Sequence, residues 1–462
     1  MTSTSAYTST AAKTGTIADT LEWRGELVEL LACGHVALPG PSRMCEHLLG
    51  TESSEHIRLL TGHGVEYNLC CRACDAAARK GQSVELCVAC EVCVASCIDD
   101  DWCSLVAWRS TPGITDSHEP FDTSIVDTQL PVAVVDFAVV DASTESVWLL
   151  LDDSGRIGRF HADADSWEVL AQCTVPDEPD HEPWAGRQLR RRLHVSRDGR
   201  FAAVVNDFGH HGQVLDLHTG ATTSTLNGGD YRPDTVPFSV AFTEHHGRTV
   251  VVHRTAWNWL DITDAATGRL LTARTFDAGE PGRPPEHHLD YFHGALYLSP
   301  DGRYVADDGW VWHPVGMPTV WDLRRWLDGN VWEAEDGPSR NQLCLRAYHW
   351  NSPMCWIGQE KLAISGIGAD DEAMLAGVRI FDAASGVEMN AFAGPHGDLF
   401  ADAHWLYSAA PQGLEVWDPA NGHRLGSIPG FTPTRHHKGA GELACVDGNR
   451  LRRWRTPHES LQ

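Results

Sequence analysis

The sequence predicts a mostly β chain: a seven-bladed β-propeller, with six or eight blades as alternatives, preceded by a small zinc-binding domain. Three observations predict it. Ten of the 14 cysteines crowd into the first 103 residues, whereas 16 of the 18 tryptophans follow that segment. Beyond it a Gly-containing turn and an Asp-x3-Gly turn recur at a fixed offset. The 462 residues also exceed what one ordinary core fills, so two domains are expected.

Residues 1–20 are rich in Ser, Thr and Ala, which reads as a disordered lead-in with no signal-peptide pattern. Residues 21–103 hold the cysteines. Cys71-Arg-Ala-Cys74 and Cys90-Glu-Val-Cys93 form C-x2-C-x15-C-x2-C, a spacing that suits a four-cysteine zinc shell. Each C-x2-C turn aims two sulfurs at one ion, and four protein ligands leave no position for catalysis. Residues 75–80 between them suggest a short helix stopped by Gly81. Cys87-Val-Ala-Cys90 allows a register shifted by three. Upstream, Cys33-Gly-His35 and Cys45-Glu-His47 offer a Cys2His2 set for a second zinc, with Cys70, Cys87, Cys97, Cys103 and His63 as further candidate ligands. So small and apolar-poor a segment would draw much of its folding free energy from metal. It resembles zinc-ribbon and treble-clef modules.

Residues 104–130 form a linker rich in Pro, Asp, Ser and Thr, and 105–108 (Leu-Val-Ala-Trp) offer a strand to close a ring. Residues 131–456 carry the repeat, and 457–462 a tail. First turns read Ser196-Arg-Asp-Gly-Arg200, His245-His-Gly-Arg248 and Ser299-Pro-Asp-Gly-Arg303. Closing turns read Asp216-Leu-His-Thr-Gly220, Asp264-Ala-Ala-Thr-Gly268, Asp382-Ala-Ala-Ser-Gly386 and Asp418-Pro-Ala-Asn-Gly422. Asp198 to Asp216 and His246 to Asp264 both span 18 residues, a constancy that a repeated hairpin produces. Alternating β-branched and aromatic residues precede the closing turns, as half-buried strands require. Units begin near Val132, Leu193, Val236, Leu289, Ala347, Leu399 and Gly441. With Val320-Trp321-Asp322 and Val416-Trp417-Asp418, the body resembles the WD-repeat-like propellers. Most units lack the Gly-His element of regular WD repeats.

A formal charge of -27 makes nucleic acid an unexpected partner, because phosphate binding needs clustered Lys and Arg. No apolar run is long enough to insert in a membrane, and the cytoplasm is the expected compartment. P-loop, dinucleotide-fold, nucleophile-elbow and HExxH patterns are absent from the sequence. The leading expectation is a non-enzymatic scaffold or adaptor for protein partners, with structural Zn2+. One alternative is a metal-dependent hydrolase or lyase in the ring channel, using some of His194, His288, His293, His349, His404, His436 and His437. The other is a thiol and zinc redox sensor.

Overall fold

A computed structural model describes residues 121–178, 187–275, 286–312, 314–368, 371 and 374–457. Before residue 121 it describes the backbone of eight strands together with residues 45–48, 71, 73, 74, 77 and 82.

Seven antiparallel sheets follow one another along the chain and close into a seven-bladed propeller. The inner strands are Val134–Val139, Arg190–Val195, Val240–His245, Phe292–Leu298, Met354–Ile357, Asp398–Ala401 and Arg435–His437. Second strands read as nearly unbroken apolar runs because a neighbouring blade covers each face. Val147–Asp152 and Phe201–Asp207 are buried at every position. Outer strands such as Ala221–Asn227 face solvent and are polar. The core lies between blades: Leu149, Leu151 and Ile157 of blade 1 pack on Leu193, Ala202, Val204 and Leu215 of blade 2.

The recurrent turns explain the constant offset. Gly220, Gly268, Gly386 and Gly422 each donate their N–H to the carbonyl of the Asp four residues earlier, at 2.8 Å. All four carry φ between 66° and 73°, a conformation that glycine adopts without a Cβ penalty. The Arg of the first turn then reaches the closing Asp: Arg200–Asp216 at 3.3 Å and Arg248–Asp264 at 3.8 Å. Blade 4 departs from this plan. Asp322 still meets Arg303 at 3.1 Å, but its carboxylate caps a helix, Leu323–Asp328, by accepting from the N–H groups of Arg324 and Arg325. An outer strand, Asn341–Gln342, resumes the sheet afterwards.

Blade 7 takes its outer strand from before blade 1. Ile125–Gln129 pairs antiparallel with Arg450–Arg455, from Gln129 opposite Arg450 to Ile125 opposite Trp454. Residues 105–108, the expected closing strand, lie outside the described residues, so the closure is assigned to Ile125–Gln129. Because strands alternate in direction, one face of the ring carries the first and closing turns. The opposite face carries the second-to-third-strand turns and the connections between blades.

Ahead of the ring, six strands form one sheet in the order Ile17–Trp23, Glu26–Leu31, Cys87–Cys90, Pro39–Met44, Asn68–Cys71, His56–Leu59. The first of these begins inside the expected 1–20 lead-in. Two pairings are parallel: Glu26–Leu31 with Cys87–Cys90, and Pro39–Met44 with Asn68–Cys71.

Candidate metal centre and aromatic face

The parallel register of Pro39–Met44 and Asn68–Cys71 sets Met44 opposite Leu69, so both strands end side by side. Cys45 and His47 follow one end. Cys71 closes the other, with Cys74 in the helical turn after it. The result brings Cys45 Sγ, Cys71 Sγ, Cys74 Sγ and a His47 ring nitrogen within 4.8 Å of one another. A tetrahedral ion with bonds of about 2.3 Å to sulfur holds its ligands roughly 3.8 Å apart, so the donors stand near ligand spacing. Backbone N–H groups already donate to the sulfurs, Cys71 to Cys45 Sγ at 3.2 Å and Cys74 to Cys71 Sγ at 3.5 Å. Such donors stabilise thiolates in a zinc shell. Three sulfurs and one imidazole are a donor set that Zn2+ accepts.

The same crowding burdens the thiols. Burial pushes Cys45 up, and burial with the neighbouring Cys45 charge pushes Cys74 up to about 12. Burial also opposes ionisation of Cys71, yet N–H donors of Cys74 and Ala73 carry its thiol below the ordinary value. A dication at the centre of the group would reverse the penalty on the other two.

The expected ligands are thus sorted by the sheet. Cys71 and Cys74 meet Cys45 and His47. Cys90 ends a strand in which it lies opposite Pro39, whereas Cys87 lies opposite Met44 beside Cys45. The Cys90 side chain, Cys93, Cys33 and His35 lie outside the described residues, as do Cys97, Cys103 and His63. Of the expected helix over 75–80, Ala77 alone is described, and it is helical.

Of the channel histidines, His194, His293, His436 and His437 do lie on inner strands, whereas His288, His349 and His404 lie in connections and turns. His293 Nδ1 meets Asp307 Oδ2 at 2.6 Å, both fully buried. Burial holds His194 and His436 down to about 3. Among the described residues, no group of metal-capable donors includes a channel histidine.

The connection face carries a feature that sequence spacing did not flag, a ridge of rings running across blades 3 and 4. Tyr231 and Trp257 lie 5.5 Å apart, Trp257 and Phe292 4.6 Å, and Phe292 stacks on Trp310 at 4.3 Å. Trp310 stacks on Trp350 at 4.8 Å and meets Trp312 edge-on at 5.0 Å. The root is buried and pinned: Trp310 Nε1 donates to Thr235 Oγ1, and Trp350 Nε1 to the Thr235 carbonyl. The crest is open, with Tyr231 49% and Trp312 37% exposed. Arg232, Tyr348 and Asn351 hold φ of 51°, 57° and 61° in the connections beside it, strain that the packed root over-determines. The signal lay in aromatic residues from separate segments of the chain, which only the ring assembles.

No family model and no curated protein matches this chain. Among solved structures the chain is similar to one in a crystal structure of a mitotic checkpoint complex. The two are 15% identical, with 76% of this chain and 98% of that chain covered and a TM-score of 0.43. Among the described residues no helix is long and apolar enough to cross a membrane.

Proposed function

We propose that this chain is a non-enzymatic scaffold that docks a protein partner on the aromatic ridge of its ring. The observation that carries the reading is the ridge itself. Exposed Tyr231 and Trp312 stand on a root fixed by stacking and by Thr235, the arrangement of an interface hot spot rather than of scattered surface residues. Rigid rings lose little entropy on docking. The charge of -27 favours a partner presenting basic side chains, through long-range attraction.

The reading is tested by capture from the native cell with wild type, Tyr231→Ala/Trp312→Ala and Val169→Ala, the last an exposed site on blade 1. A specific partner retained by wild type and Val169→Ala but lost by the ridge variant supports docking there. Equal retention by all three sinks it.

The head is proposed to be held by structural zinc, one ion on Cys45, His47, Cys71 and Cys74. The parallel pair Glu26–Leu31 and Cys87–Cys90, with Leu30 opposite Val88, repeats the register logic of the first centre. Cys33 and His35 follow one of those strands, while Cys90 and Cys93 end and follow the other. These four are the proposed ligands of a second zinc. A redox-sensor reading has one observation in its favour, the lowered and partly exposed Cys71 thiol. Mild peroxide should then release zinc reversibly; zinc retained under peroxide removes that reading.

A further inference from the structure

The turn Phe208-Gly209-His210 of blade 2 folds over a carboxylate delivered from another part of the chain. The side chain of Glu178, in the connection from blade 1, is 2% exposed. Its Oε1 accepts from Asn206 Nδ2 at 2.9 Å, from the N–H groups of His210 and His211 at 3.0 Å each, and from His211 Nδ1 at 3.1 Å. Oε1 is saturated. Oε2 stands otherwise: it is buried and takes no hydrogen bond, although His210 Nδ1 lies only 2.9 Å away. The imidazole nitrogen and the carboxylate oxygen stand side by side at a spacing that two neighbouring ligands of one metal ion adopt, and Oε2 keeps its lone pairs unused. A cation bonded to both at about 2.1 Å would give Oε2 the partner it lacks.

The surroundings are built around the carboxylate. A Cβ at Gly209 would stand 2.6 Å from Glu178 Oε1, so only glycine lets the turn close over it. Phe208 holds a φ of 64° to make the turn. The two imidazoles lie 3.9 Å apart between ring centroids and are partly exposed, 17% and 27%, so an ion has a way in.

We propose that Glu178, His210 and His211 form a divalent transition-metal site on the connection face, binding through Glu178 Oε2 and one ring nitrogen of each histidine. One ligand atom from each of the three residues lies within 4.8 Å of the others. Two imidazoles and one carboxylate select a borderline ion such as Zn2+, Co2+ or Ni2+ over Mg2+ or Ca2+. Three protein ligands leave a coordination position for water or an incoming donor. The site contains no sulfur. It goes beyond the scaffold reading, sharing no residue with the cysteine centre or the ridge, and stands or falls apart from both.

The experiment uses the full chain equilibrated with Zn2+ or Co2+ and freed of excess ion. Wild type should hold one more equivalent than His210→Ala/His211→Ala or Glu178→Gln. The Co2+ lost with the variants should take no thiolate-to-cobalt charge-transfer band with it. Equal metal content in all three proteins overturns the site. So does loss of the charge-transfer band together with the ion, which would trace it to cysteine. Should the variants fail to fold, carbethoxylation of wild type decides. Zn2+ should protect His210 and His211 from labelling, and labelling unchanged by Zn2+ overturns the site.

Discussion

His194 and His436 sit on the inner strands of blades 2 and 7, where burial keeps both imidazoles neutral far below their ordinary range. In the unfolded chain each protonates near pH 6.5, so the unfolded state binds more protons between about pH 6.5 and 3. Their support for the fold is complete above that window and drains away as pH falls through it. Taken as whole residues, both retain partial exposure. That exposure tempers the loss to about 1 kcal/mol each by pH 5. Urea unfolding of wild type should show this decline between pH 7 and 5, and His194→Gln/His436→Gln should flatten it. An unchanged slope would place the acid sensitivity elsewhere. At this scale the sequence was partly legible. Cys71-x2-Cys74 and Cys45-Glu-His47 announce themselves as ligand pairs by spacing. Which pair stands beside which depends on strand register across more than twenty residues, and spacing carries no information on that.

The closing turn is the element that repeats most faithfully, and its glycines are not equivalent. At Gly220 an added Cβ meets only the Leu170 carbonyl at 3.3 Å, whereas at Gly422 it meets the Phe392 ring at 2.6 Å. Gly220→Ala should cost about 1 kcal/mol, the ordinary penalty for the left-handed region. Gly422→Ala should cost roughly 2–3 kcal/mol, because the buried Phe392 must also shift. Thermal or urea unfolding of the two variants checks the ranking, and equal costs would mean Phe392 yields freely. The turns were legible because Asp and Gly have local reasons to stand where they do. Blade 4 was harder to read: Val320-Trp321-Asp322 has the same ending, yet Asp322 caps a helix, since no Gly waits four residues on to accept the turn. The starts expected near Ala347 and Gly441 fall a few residues from the inner strands Met354–Ile357 and Arg435–His437, because short inner strands carry little periodicity.

Over the whole molecule, two parts are held by different physics, one by packed apolar sheets and one by proposed metal. Cys74→Ser should therefore abolish metal-dependent structure in the head while the ring keeps its melting transition. A single transition that collapses with the substitution would show that the parts stabilise one another. The ring has its own single point of failure. Deleting residues 121–130 removes the partner of Arg450–Arg455 and the acceptor for Trp454 Nε1, the Asp122 carbonyl at 2.6 Å. The remaining sheet edge is unpaired, and an exposed edge is a template for aggregation. Light scattering and a lowered melting midpoint should report it, and a monomer as stable as wild type would refute the claim. Closure from the N-terminal side was legible as a topological need. Its strand was not, because Ile125–Gln129 alternates only weakly and draws its register from its partner.

That borrowed strand bears on how the protein is made. Ile125–Gln129 leaves the ribosome more than three hundred residues before Arg450, so it must wait, unmatched, while six blades assemble behind it. A nonsense codon anywhere ahead of Arg450 would yield an unsealed ring rather than a smaller one. Such a product, with two raw rims, is a natural client for chaperones and proteases.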